Sequence, residues 1–160
     1  MLGAERRRRD GGPLRSRWRA EAESLRALRP RGVLFLCVAN SARSQLAEGI
    51  ARTLAPEGVW IDSAGSEPTT VRPEAVAVLA ERGIDIGAQR SKRIDQVDPA
   101  RVELVVTLCA EEVCPVWLHQ AHRVHWGLPD PAAVEGEGRL AAFRATRDEL
   151  ERRLAVLFDG

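Results

Sequence analysis

The sequence predicts an α/β fold, a three-layer sandwich in which a four-stranded parallel sheet is covered by helices. Three observations point there. Short apolar runs recur along the chain, each of a length suited to a strand buried on both faces, beginning with Val33-Leu34-Phe35-Leu36. Stretches with helical spacing separate these runs, and strands separated by helices imply parallel pairing with both faces covered. The chain has 160 residues, 44% of them hydrophobic, enough for one domain with a substantial core.

The elements follow in order. Residues 1–14 contain Arg6-Arg7-Arg8-Arg9 and Gly11-Gly12-Pro13 and read as disordered. Residues 15–28 suit a short helix with Trp18, Leu25 and Leu28 on one side, stopped by Arg29-Pro30. We therefore divide the chain into an Arg-rich extension, 1–30, disordered or loosely helical, and a folded domain, 31–160. After the first strand, Ser44 to Leu54 reads as a helix with Leu46, Ile50 and Leu54 in phase. Val59-Trp60-Ile61 begins a second strand that ends in Ser63-Ala64-Gly65. Pro73 opens a helix that runs to Arg82 and is closed by Gly83. Ile94 starts a brief third helix, Val102 to Leu108 is the third strand, and His122 to Trp126 is a weaker fourth. Leu140 to Phe158 forms a terminal helix with Phe143, Leu150, Leu154 and Leu157 in phase.

Charge and cysteine content exclude several classes. Residues 1–30 hold nine arginines against four acidic residues, whereas residues 31–160 hold fifteen Lys and Arg against nineteen acids. The body thus lacks the basic surplus of a nucleic-acid groove. The arginine run reads either as a polyanion contact or as a solvated tail. No apolar run approaches the roughly 20 residues that cross a bilayer, and no apolar stretch follows the N-terminal charge as in a secretory signal. The expected location is the cytoplasm, with no membrane partner. Three cysteines in a reducing compartment are better suited to chemistry, metal binding or packing than to a disulfide framework.

The most informative stretch is Cys37-Val38-Ala39-Asn40-Ser41-Ala42-Arg43-Ser44, between the first strand and the first helix. Ligands of open parallel sheets bind beyond the carboxyl ends of strands. A helix start offers unsatisfied N–H groups, and successive peptide N–H groups of 38–43 can curl around an oxyanion. Arg43 adds a planar fork for two oxygens. A thiol at the centre of such a cradle is favoured as thiolate and stands beneath a bound tetrahedral anion, placed to attack its central atom. Asn40 suits the left-handed backbone of a tight nest, and Ser41 and Ser44 supply hydroxyls, Ser44 within reach of the sulfur. The oxyanion-binding set is therefore Val38, Ala39, Asn40, Ser41, Ala42, Arg43 and Ser44.

These residues resemble the anion-binding loop of the low-molecular-weight tyrosine phosphatases. Further motifs resemble that superfamily's redox branch, the thioredoxin-coupled arsenate reductases: Ser44-Gln45-Leu46-Ala47-Glu48-Gly49, Ser63-Ala64-Gly65, Val105-Val106-Thr107-Leu108-Cys109, Cys114-Pro115 and His125-Trp126-Gly127-Leu128-Pro129-Asp130-Pro131-Ala132. The resemblance covers about residues 32–157. It implies that Cys37 attacks arsenate while Arg43 and the loop amides hold its oxygens. It implies that Cys109 then attacks the Cys37 sulfur and releases arsenite, and that Cys114 resolves the bond to leave a Cys109–Cys114 disulfide. The resemblance further implies thioredoxin, a glutaredoxin-type protein or another thiol reductant as electron donor, with no bound cofactor and no metal. Asp130 matches the acid/base aspartate. Two thiols becoming one disulfide supply the two electrons that As(V) needs to become As(III).

The chain departs from the family pattern at four places. Ala42 stands where some members have a further cysteine. Only four residues separate Cys109 from Cys114. In a helix, residues five apart face about 140° apart and rise about 7.5 Å. A disulfide needs Cα atoms within about 7 Å, so the segment must be unwound. Lys92 stands where some members bind potassium through an aspartate, and its ammonium supplies the same charge, so no potassium requirement is expected. No aromatic residue follows Asp130-Pro131, which disfavours an aryl-phosphate role. Two other readings stay open: a low-molecular-weight tyrosine phosphatase, and a zinc-stabilised or anion-sensing module using Cys109, Cys114, His119, His122 and His125 at near-zinc spacing.

Overall fold

In the computed structural model, residues 13–110 and 113–159 are described. Of residues 1–14, for which disorder is predicted, 1–12 lie outside the described ones, and Pro13 and Leu14 instead open a helix. Helix α1 (Pro13–Ala27) leads into β1 (Gly32–Cys37), α2 (Arg43–Leu54), β2 (Trp60–Gly65) and α3 (Pro73–Ala80). Two 3-10 turns, Ile94–Gln96 and Pro99–Arg101, precede β3 (Leu104–Thr107) and β4 (His122–His125). A third, Pro131–Ala133, precedes α4 (Gly138–Phe158). The predicted third strand starts two residues late because Pro99–Arg101 holds a 3-10 turn whose carbonyl at Pro99 takes the Val102 N–H. Helix α3 ends at Ala80, and Gly83 follows in the left-handed region at φ 73°.

The four strands pair in the order β2-β1-β3-β4, every neighbouring pair parallel. All six residues of β1 are buried, as a central strand covered on both faces requires. The register aligns Cys37 with Gly65, Leu36 with Thr107, and Thr107 with His125. The carboxyl ends of all four strands therefore meet along one rim.

Both faces are covered, but unequally. Phe35, Val106, Leu46, Ile50, Leu79, Phe143, Leu150 and Leu154 form one core to which all four α-helices contribute. The other face holds Leu34, Leu36 and Val105 under Val97, Val102 and Trp117, which come from 3-10 turns and irregular chain. The brief helix expected at Ile94 is one of those turns. Trp18 and Ala22 of α1 are buried in the first core, while Leu28, expected on the same side, is exposed. Among the described residues no helix is long and apolar enough to cross a membrane.

An ion network ties α3 to α4. Arg144 and Arg147 both reach Glu81, at 2.7 Å each, and Arg147 also donates to Asp148 and to the Val78 carbonyl. Asp148 and Glu151 also pair with Arg82, so these acids form a charged helix face. The hydrogen bond from Arg144, then that from Arg147, pulls the Glu81 carboxyl from its ordinary 4.5 to about 2. Because the folded value lies below the unfolded one, this contribution is complete above about pH 4.5 and is lost as pH falls through about 2. Urea unfolding of the parent and of Glu81→Gln should differ at neutral pH and converge toward pH 2. A gap that persists unchanged at pH 2 would contradict the assignment.

Candidate active site

The site lies where β1 hands over to α2. Cys37 ends the strand with 2% of its surface exposed, and Arg43 opens the helix with 4% exposed. The residue before α2 is Ala42, which supplies no side-chain cap, so the first-turn N–H donors are left for a ligand.

The carbonyls of the loop point away from it. Val38 O accepts from Glu67 N at 2.9 Å, Ala39 O from Thr69 N at 3.0 Å, and Ser41 O from Arg72 N at 2.9 Å. Asn40 O accepts from Ser91 Oγ at 2.6 Å and from Gln45 Nε2 at 3.1 Å. In a trans peptide the C=O and the following N–H point in opposite directions. Carbonyls turned outward therefore turn the N–H groups of residues 39–42 inward. Asn40 makes the turn possible at φ 48°, a region its short polar side chain tolerates.

A chain of buried polar groups holds this ring. Glu48 Oε1 accepts from Ser63 Oγ at 2.6 Å, Ser63 Oγ accepts from Asn40 Nδ2 at 2.9 Å, and Asn40 Nδ2 also donates to Ser44 Oγ at 2.7 Å. Ser44 Oγ lies 2.9 Å from Cys37 Sγ. Asn40 Oδ1 takes the Lys92 N–H at 2.9 Å and Gln45 Nε2 at 3.1 Å, and Gln89 Nε2 in turn donates to Gln45 Oε1 at 2.8 Å. Buried polar groups must be paired, and a fully satisfied network in low dielectric fixes one geometry.

Arg43 is aimed by backbone. Its Nη1 donates to Leu128 O at 2.9 Å and reaches Leu108 O at 3.5 Å, while Nη2 stands 3.9 Å from Asp130 Oδ2. Asp130 uses its other oxygen to accept from Ala132 N at 3.0 Å, so it is both a turn cap and a carboxylate facing the guanidinium. The Lys92 ammonium donates to Asp62 Oδ1 at 2.7 Å, Ser63 O at 3.1 Å and Arg90 O at 3.2 Å, outside the ring but bonded to the residues that support it.

Cys109 lies two residues beyond β3, buried at the same rim, and is disulfide-bonded to half-buried Cys114 with Cα atoms 5.5 Å apart. Residues 113–118 form no helix, so the short spacing is accommodated in irregular chain. Cys37 is free. The structure thus joins Cys37, Arg43 and Asp130 around one ring and places the disulfide beside it. The zinc alternative loses two ligands to that disulfide, and its three histidines are exposed. Among the described residues no three or more His, Cys, Asp or Glu side chains come together as a metal-binding group.

The sequence assigns no supporting role to Gln45, Ser63, Gln89 or Ser91, and by sequence alone Glu48 fits a loop support and a surface residue equally. Their role emerges only in the fold, where the first nine residues of α2 are buried and Gln45 and Glu48 are held out of water. Gly65 matters for a different reason. A Cβ there would meet Val38 O, with Cys37 O at 2.9 Å and Asn40 N at 3.0 Å, all of them loop backbone. Gly65→Ala should therefore push the ring out of shape and lower kcat/KM at least about tenfold, an effect expected of angstrom-scale displacement. Aryl-phosphate kinetics on the folded variant measure it. An unchanged kcat/KM would show that the ring does not depend on this contact.

Residues 32–159 match the low molecular weight phosphotyrosine protein phosphatase family. The arsenate reductase of Halalkalibacterium halodurans is 45% identical over 126 residues, covering 76% of this chain and 91% of that protein. The crystal structure of arsenate reductase from Archaeoglobus fulgidus superposes with a TM-score of 0.70 at 31% identity, covering 80% of this chain and 99% of that one. A thioredoxin-dependent arsenate reductase of Corynebacterium glutamicum superposes with a TM-score of 0.62 at 26% identity, covering 88% and 68%. Together with the parallel sheet and the loop after β1, these similarities settle the kinship: the chain belongs to the low molecular weight phosphotyrosine protein phosphatase family and groups there with the arsenate reductases.

Proposed function

We propose that the protein is an arsenate reductase in which Cys37 is the nucleophile and Cys109 and Cys114 form the thiol relay. The observation that carries this is the Cys109–Cys114 disulfide at the rim that holds the Cys37 loop. Phosphate-ester hydrolysis needs a thiol, an arginine and an acid; it has no use for two further thiols.

The chemistry follows from the geometry. The inward N–H groups and Arg43 hold the oxyanion over Cys37. The Cys37 thiolate attacks arsenic, and Asp130 donates a proton to the departing oxygen. The Cys109 thiolate then attacks Cys37 Sγ; the S–As bond breaks with its electron pair left on arsenic, releasing As(III). Cys114 attacks Cys109, Cys37 leaves as thiolate, and the disulfide observed here results. A protein dithiol of the thioredoxin or glutaredoxin class reduces it through Cys114, around which Val113, Val116 and Leu118 are 90, 71 and 87% exposed. That apolar patch suits a protein reductant better than a small polar thiol. A cycle through reversible thiols belongs in the reducing cytoplasm.

Lys92 supports the ring as a built-in cation, and exchanging potassium for choline should leave the KM for arsenate within about twofold. A potassium-dependent KM would refute this role. The function itself is tested by arsenate-dependent oxidation of reduced thioredoxin, with disulfides mapped by mass after one turnover. A Cys109–Cys114 bond and one arsenite per enzyme are expected; aryl-phosphate hydrolysis without thiol oxidation would favour the phosphatase reading.

A further inference from the structure

Helix α1 precedes the matched residues 32–159, yet it enters the main core. Trp18 is 7% exposed and meets Trp126 edge-on, with ring centroids 6.4 Å apart and planes at 77°. Arg153 of α4 sets its guanidinium 5.2 Å from the Trp18 ring and 5.8 Å from the Trp126 ring. Ring pairs and cation–ring contacts are directional, so this stack fixes an orientation as well as filling space.

Trp126 is the first residue beyond β4. Its N–H donates to Thr107 O at 2.8 Å, and Leu128 N donates to Leu108 O at 3.0 Å, so residues 126–128 extend the ladder past the end of β3. Between them, Gly127 packs against the Cys109 carbonyl; a Cβ there would stand 3.0 Å from that oxygen. Leu128 O is the 2.9 Å acceptor for Arg43, and Asp130 follows two residues later. The strap that aims the guanidinium therefore begins at the residue that Trp18 meets edge-on.

We propose that Trp18 is a positioning residue for the anion site: through Arg153 and Trp126 it holds the 126–130 strap against which Arg43 and Asp130 are set. The proposal rests on the reading of the Cys37–Arg43 loop as the oxyanion site. It makes α1 part of the working enzyme, although the helix lies outside the matched family region.

The test is competitive inhibition of aryl-phosphate hydrolysis by inorganic phosphate, at a temperature where melting curves show each variant folded. Leucine at position 18 keeps apolar bulk but removes the ring. Trp18→Leu should raise the phosphate Ki about tenfold, and Trp18→Phe should restore it to within about threefold of the parent. A purely structural Trp18 would lower the melting temperature and leave the Ki of folded protein unchanged. A folded Trp18→Leu with a Ki within about twofold of the parent overturns the proposal. If that variant does not fold, Arg153→Met carries the same test, because it removes the guanidinium while keeping both rings; the same rise supports the proposal and an unchanged Ki overturns it. A parent protein that phosphate does not inhibit would remove the anion-site reading itself, and the proposal with it.

Discussion

Cys37→Ser is expected to abolish arsenate reduction and aryl-phosphate hydrolysis together, by at least about a thousandfold each, as loss of a nucleophile does. The two activities share only the step in which this sulfur attacks the central atom of a bound oxoanion, so one substitution should remove both. Serine keeps the size and the hydrogen bond to Ser44 Oγ, which lies 2.9 Å from the sulfur. The ring, Arg43 and the buried chain through Asn40, Ser63 and Glu48 stay in place, so phosphate should still protect the variant against thermal unfolding. Thioredoxin oxidation and aryl-phosphate assays measure the activities, and melting curves with phosphate measure the anion site. Residual arsenate reduction above about 1% of the parent would mean that another thiol accepts the arsenic.

Cys114→Ser is expected to separate the two activities. Steady-state arsenite production with thioredoxin should fall at least about a hundredfold, while aryl-phosphate hydrolysis measured without arsenate should remain near the parent rate. The first turnover should still release one arsenite per enzyme, because Cys109 can attack Cys37 unaided. The product would then be a Cys37–Cys109 disulfide, identifiable by mass, and the enzyme would stop there. Cys109 and Cys37 are both buried, at 1% and 2% exposure, so a protein reductant cannot readily reach that bond. Cys114 is half-buried among exposed apolar residues, where a partner can approach. A variant that reduces arsenate with thioredoxin at the parental rate would remove Cys114 from the relay.

Much of this architecture is written locally. Val33-Leu34-Phe35-Leu36 has no polar alternation, and it became a strand buried at every position. Pro73 and Gly83 bracket a helix because proline suits its first turn and glycine suits the φ of 73° that follows. Asn40 marks a left-handed residue because few other side chains tolerate φ 48°. The unequal covering of the sheet was less legible. The second face is closed by Val97, Val102 and Trp117 on turns without helical period, and no pattern in the chain announces which face such turns will cover.

By itself, the sequence determined the order of strands and helices, the placement of a thiol and an arginine around a helix start, and the presence of two more thiols. Those depend on residue type and on neighbours a few positions away. Only the tertiary structure decided that Glu48, Ser63 and Asn40 form one buried chain to Ser44, that Leu108 and Leu128 aim Arg43, and that Trp18 reaches Trp126. Those contacts join residues up to 108 positions apart. They arise when parallel pairing aligns strand ends that the chain reaches at different times, and no local preference encodes that meeting.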